Sequence, residues 1–137
     1  MGTLNEAREM FAKDRFATVA TGAVIDEIGE DHAKCSLTLT EDHRNAYGNV
    51  MGGAIYTLAD FAFAVASNFD KDVATVSVVG QASFMAATKG NKLFATADLI
   101  KDGRRNCFYS VTVTDDLSKT IAVVTFNGTH IAKEKEA

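Results

Sequence analysis

The spacing of apolar residues changes twice along this chain. Leu4, Ala7, Met10 and Phe11 recur at helical spacing. Thr3, with Glu6 three positions on, forms a capping box, and together they predict a short amphipathic helix over about residues 4–14. Phe16–Glu27 and Ala33–Thr40 then alternate and carry β-branched residues, which predicts two strands joined by a turn at Gly29-Glu30-Asp31. A polar loop, 41–50, follows. From Met51 to Phe69 the chain reads MGGAIYTLADFAFAVASNF, which predicts a helix over about 51–68, roughly 25 Å long at about 1.5 Å per residue. Beyond Asp70-Lys71-Asp72 the period falls to two. Val73–Ala87, Lys92–Asp102, Arg104–Thr114 and Lys119–Ile131 are rich in Val, Ile, Thr and Phe, as strands are. They are broken at Lys89-Gly90-Asn91, at the hairpin signal Asp102-Gly103 and at Asp115-Asp116. The charged residues Lys133–Ala137 are expected to fray.

A short helix, two strands, one long apolar helix and four strands make an α+β chain. A helix apolar on nearly all sides must be covered all round. One antiparallel sheet wrapped around the central helix provides that cover. Such a sheet keeps an edge strand and an open flank, so association with further copies is the natural completion. With 137 residues and neither repeat nor linker, residues 1–137 are expected to form a single domain.

Composition narrows the partners. The net charge of −4 offers no basic face for counterion release, so nucleic acid is not the expected partner. Cys35 and Cys107 have no metal-ligand spacing and are expected to be reduced core thiols, which fits a cytoplasmic protein. The N-terminus has no basic segment followed by an apolar run, so no signal peptide is expected. The apolar run 51–69 is long enough to span a bilayer. Its two glycines, Asp60, Thr57, Ser67 and Asn68 favour a buried core helix instead.

Asp60 is the only charge in that run. A carboxylate in the middle of a buried helix costs several kcal/mol unless it is partnered. It is therefore either a structural acceptor or a working group. The run also opens on Gly52-Gly53, and a glycine pair at a helix start lets a ligand approach N–H groups that have no intrahelical partner. A bare N–H site and a lone carboxylate thus share one helix, about two turns apart.

His43-x-Asn45-x-x-Gly48-x-x-Met51-Gly52-Gly53, followed by Leu58-x-Asp60, resembles the hotdog-fold acyl-CoA thioesterases, and most of all their phenylacetic-acid-degradation (PaaI-like) branch. Gly103-Arg104-Arg105 at the hairpin adds to the likeness, which covers nearly the whole chain. The resemblance implies a homodimer or homotetramer that hydrolyses an acyl-CoA, aromatic or of short to medium chain, to the carboxylic acid and free coenzyme A. It implies no metal and no cofactor beyond the coenzyme A of the substrate. The Gly52 N–H would stabilise the oxyanion. Asp60, reaching across a dimer interface, would act as general base or as nucleophile. Asn45 would orient the reacting groups, and Ser77 would help hold the water. Gly53 and Met51 would border the substrate.

The chain departs from the family at Met51, where a His is usual, and it has no proline. A thioether donates no hydrogen bond and accepts only weakly. That substitution keeps a second reading open, a non-catalytic acyl-CoA-binding module on the same fold. A hydratase, which needs an Asp/His pair, and a structural protein with a buried acid are further alternatives. Lys89, Arg104 and Arg105, with Lys92 and Lys101, are either a solvated rim or phosphate ligands for coenzyme A. His43 reads as a loop-ordering residue, and His32 and His130 belong to no motif.

Overall fold

A computed structural model describes residues 1–132, so the expectation for Lys133–Ala137 lies outside the described residues. Helix α1 (Leu4–Phe11) is capped as its sequence predicts. The Glu6 N–H donates to Thr3 Oγ1 at 3.2 Å, and Glu6 Oε1 accepts from the Thr3 N–H at 3.1 Å. The helix ends three residues short of the expected 14. Ala7 and Phe11 are buried, and Arg8 donates twice to the Ile25 carbonyl, at 3.0 and 2.8 Å.

The expected strand Phe16–Glu27 is two elements. Phe16–Thr21 forms a π-helical turn, closed by Gly22 at φ 91°. Strand β1 (Val24–Gly29) follows. The alternation misleads here because Ala17 and Thr21, four apart, are the buried pair. Packing near α2 overrides the β-branched composition. Strand β2 (His32–Thr38) leads to a short 3₁₀ turn, Glu41–His43. Then come the long helix α2 (Gly52–Asn68) and strands β3 (Ala74–Phe84), β4 (Lys92–Asp102), β5 (Asn106–Asp115) and β6 (Thr120–Ile131).

All six strands join one antiparallel sheet in the order β1-β2-β4-β5-β6-β3. It wraps α2, giving the expected hotdog architecture. Inward rows such as Leu93-Ala95-Ala97 on β4 and Cys107-Tyr109-Val111-Val113 on β5 meet Leu58, Ala59, Phe61, Ala62 and Val65 of α2 in one core. Small residues in both rows let the helix lie close. Phe63 stacks on Phe126 with ring centres 4.6 Å apart and meets Tyr109 edge-on at 5.4 Å. Both cysteines are free and fully buried in this core. Among the described residues no helix is long and apolar enough to cross a membrane.

Two topological facts position the site. Strand β3 lies at one edge, with β6 as its only neighbour among the described residues, and Val76, Val78 and Val79 are exposed along it. The next strand, β4, lies three places further in. The connection from Met85 to Asn91 must therefore pass the ends of β6 and β5. The β4–β5 hairpin turns through Gly103-Arg104-Arg105, so Arg104 lies in the turn rather than in the strand.

Candidate active site

The approach to α2 is a self-bonded loop. The Asn45 side-chain oxygen accepts from the Tyr47 and Asn49 N–H groups, at 3.0 and 3.1 Å. The Asn45 N–H donates to the Asn49 carbonyl at 2.8 Å, and Gly48 takes φ 83° to close the turn. Asn45 is exposed, and its amide NH₂ has no partner among the described residues. His43 is buried: Nδ1 accepts from the Thr40 N–H at 3.0 Å, which leaves Nε2 to donate to the Thr21 carbonyl at 2.7 Å. Both ring nitrogens are thus engaged in loop order. The His43 carbonyl accepts from the Met51 N–H at 2.8 Å and sets the start of α2.

Met51 is the N-cap and has no side-chain oxygen to satisfy the first turn. Among the described residues the Gly52 and Gly53 N–H groups have no acceptor. The two glycines differ. A Cβ on Gly52 would lie 3.1 Å from Phe84 Cζ, whereas a Cβ on Gly53 would meet nothing within 4 Å. Gly52 opens on a cavity of about 400 Å³ walled by Val50, Ile55, Phe84, Met85 and Ile121. Met51 and Gly53 border another, of about 340 Å³, with Phe16, His43 and Thr57.

Asp60 faces a third cavity, of about 530 Å³, with Asp14, Phe16, Tyr56, Thr57 and Phe61. Its carboxyl has no hydrogen-bond partner among the described residues. Burial, and then the Asp14 carboxylate, push it above the usual carboxylate range. Gly53, Thr57, Asp60 and Ala64 form the less covered stripe of α2, where Thr57 Oγ1 donates to the Gly53 carbonyl at 2.8 Å. Eight residues separate Gly52 from Asp60, about 12 Å along the axis and about 80° around it. Within one chain the Gly52 N–H and the Asp60 carboxylate therefore open on different cavities.

The remaining candidates are dispersed. Ser77 is exposed on β3 opposite Gly128, just before a bulge, on the face it shares with Thr75. Lys89 precedes β4, and Arg104 and Arg105 follow it. The eleven residues of that strand put them about 35 Å apart, so one chain does not gather them into one cluster. Arg104 borders a polar cavity with Asp31, Lys71 and His130. The Arg105 carbonyl accepts from the His130 N–H at 2.7 Å, which fixes the turn beneath the two guanidinium groups.

Several groups had no signal in the linear pattern. His32 pairs with Asp98 at 2.6 Å and His130 with Asp102 at 2.7 Å, while His130 Nδ1 lies 2.8 Å from Thr75 Oγ1. Strand register brings His32 to Asp98 and Thr75 to His130, and the β4–β5 turn brings Asp102 to His130. Asp14 and Phe16 reach Asp60 only because the segment after α1 is helical. Among the described residues no three His, Cys, Asp or Glu side chains are grouped to hold a metal ion.

An unpartnered pair of N–H groups can polarise a carbonyl, and a carboxylate raised by burial can take a proton from water or attack in its own right. Acyl transfer uses both. The sequence pattern of the Thioesterase superfamily matches residues 47–122, which include the end of the loop, all of α2 and the cavity wall. A protein from Deinococcus radiodurans is 34% identical over 116 residues, 85% of this chain and 78% of the relative. The acyl-coenzyme A thioesterase PaaI of Escherichia coli (strain K12) is 29% identical over 117 residues, 85% of this chain and 83% of that protein. The E. coli PaaI structure superposes with a TM-score of 0.81 at 24% identity, over 95% of this chain and 97% of that one. A hypothetical thioesterase from Streptococcus pneumoniae TIGR4, solved with coenzyme A, superposes with a TM-score of 0.81 at 18% identity, over 91% of this chain and 99% of that one. With the pattern matched across the helix that carries Gly52 and Asp60, this chain belongs to the Thioesterase superfamily and is a hotdog-fold thioester hydrolase of the PaaI-like branch.

Proposed function

We propose that this protein hydrolyses acyl-CoA thioesters at sites shared between two copies of the chain. One observation carries the reading. The free N–H of Gly52 and the carboxylate of Asp60 lie two turns apart on one helix and open on separate cavities, so neither cavity holds a complete set of groups. The Gly52 cavity is walled by Phe84 at the end of β3, and Tyr56, which lines the Asp60 cavity, reaches Gly80 in the middle of that strand.

A two-fold axis at that edge pairs the two β3 strands antiparallel. The two α2 helices then run in opposite directions, and Gly52 of one protomer approaches Asp60 of the partner subunit. The same operation lays the Phe84 end of one β3 beside the Ala74 end of the partner's β3. Lys89 then shares a rim with the partner's Arg104 and Arg105, and these cations suit the coenzyme A phosphates. The likeness to a protein solved with coenzyme A supports that ligand.

In this reading the Gly52 N–H donates to the thioester oxygen as it becomes an oxyanion. Gly53 leaves the approach open, and the amide of Asn45 and the hydroxyl of Ser77 orient carbonyl and water. Asp60 takes one proton from water as the water oxygen bonds to the carbonyl carbon. The C–S bond breaks, the electron pair leaves with sulfur, and the thiolate recovers a proton. The alternative is direct attack by Asp60 to give a mixed anhydride, which water then cleaves. These steps draw only on the named groups and water.

The test is an acyl-CoA panel, aromatic against short, medium and long aliphatic, read by released thiol. Release from at least one member is the expected result; binding without release of thiol overturns the reading. Label in the Asp60 carboxyl after a single turnover in ¹⁸O-water assigns attack by Asp60 followed by cleavage of the anhydride at the aspartyl carbon.

A further inference from the structure

The connection that crosses from β3 to β4 is fastened to the β5–β6 turn by a side chain with no part in the chemistry above. Asp115 ends the inward row of β5 and is 3% exposed. Its two oxygens have different partners. Oδ1 accepts from the Leu117 and Lys119 N–H groups, at 3.0 and 2.8 Å, and so builds the turn. Oδ2 accepts from the Thr88 hydroxyl at 2.6 Å, across 27 residues of sequence. Thr88 Oγ1 in turn accepts from the Gly90 N–H at 2.9 Å, and Lys119 Nζ donates to the Ala87 carbonyl at 3.1 Å. At the other end, the Met85 and Ala86 N–H groups donate to the Ile121 carbonyl, at 2.8 and 3.2 Å.

The segment held in this way is one wall of the cavity beside Gly52, facing Ile55. Its middle residues, Ala86 and Ala87, have only methyl side chains. The depth of the cavity there is set by where the backbone runs, not by side-chain bulk. What fixes the backbone therefore fixes the space for an apolar group bound next to the Gly52 N–H.

We propose that Asp115, acting through the Thr88 hydroxyl, is a positioning residue that sets which acyl chain lengths the site accepts. The inference rests on the acyl-CoA thioesterase reading and adds to it the element that selects among acyl groups. Because the two oxygens divide the work, Thr88→Val cuts the Asp115 tie to the wall, leaving the Lys119 and Ile121 contacts, while Asp115 Oδ1 still holds the turn. Val keeps the shape of Thr and puts a methyl where the hydroxyl was; Thr88 itself lines the cavity, so Thr88→Ser separates the tie from the change of lining.

The experiment compares wild type, Thr88→Val and Thr88→Ser on saturated acyl-CoA substrates from acetyl to palmitoyl, reading kcat/KM by thiol release. In Thr88→Val the preference between the best substrate and longer ones should shift roughly 10-fold, the scale on which an apolar pocket distinguishes one methylene. Thr88→Ser, which restores the hydroxyl, should return the wild-type preference. A loss of equal factor at every chain length, or an unchanged preference in folded Thr88→Val, overturns the inference alone. A wild type that releases no thiol from any saturated substrate overturns this inference; only a wild type that also releases none from the aromatic members of the panel overturns the thioesterase reading.

Discussion

The ring of Phe84 covers Gly52 so closely that a Cβ at that glycine would lie 3.1 Å from Cζ. Phe84 is 55% exposed, so the ring can yield. Gly52→Ala is therefore expected to fold with little change in Tm, to displace the ring into the cavity and to lower kcat/KM. Phe84→Leu in the same chain should recover part of the loss. A Gly52→Ala protein with full activity would show that the ring does not border the substrate. Gly53→Ala meets open space, and losing a flexible glycine in the first turn should raise stability by at most about 1 kcal/mol.

Asp60→Asn should lower hydrolysis by roughly 10²- to 10⁴-fold, the range for a positioned general base. It should also raise Tm at neutral pH. An acid whose folded pKa is raised binds its proton more tightly folded than unfolded. The penalty for its charge is therefore present above the folded pKa and relieved as pH falls through it. An active Asp60→Asn protein, or one less stable at neutral pH, would contradict this assignment.

The same shift predicts a pH profile. Activity that needs ionised Asp60 should fall on the acid side above the usual carboxylate value of about 4. Asp14→Asn removes the second cause of the shift and should move that limb toward lower pH. An unmoved limb would mean that the two carboxylates do not communicate.

Changing Arg104 and Arg105 together to Ala should raise KM more than it lowers kcat. A phosphate contact is shared by ground and transition states. The effect should shrink on thioesters truncated to lack the nucleotide. Equal losses on both substrate types would instead assign the pair to the turn they occupy.

Lysine at Val78 or Val79 places a charge on the exposed edge of β3. Sedimentation should show a smaller species with reduced thiol release. An active monomer of the unaltered chain at assay concentration would contradict the shared-site reading.

Local rules carried much of this fold. The capping box at Thr3 and Glu6, helix α2 and the later strands follow from spacing over a few residues. Phe16–Thr21 did not follow, because its β-branched residues imitate a strand while Ala17 and Thr21 bury at helical spacing. Nor did the place of β3 beside β6, since strand order depends on long-range pairing that no local window contains. The site divides in the same way. Gly52 and Asp60 stand out as a glycine and a charge in an apolar run. Asp14, Thr88 and Asp115 are ordinary polar residues in sequence and gain meaning only from what the chain brings beside them.

The placing of β3 also has a consequence for how the molecule is made. Among the described residues its only sheet partner is the last strand, β6, and it runs antiparallel to it from Ala74 opposite Ile131 to Phe84 opposite Ala122. A growing chain that has already completed α2 and β3 has nothing to seat that strand against until β6 has been synthesised. Closing so long a loop delays the sheet. During synthesis Val76, Val78 and Val79 face water or a chaperone with no sheet neighbour, so ribosome-bound chains stopped before β6 should be the species that aggregates.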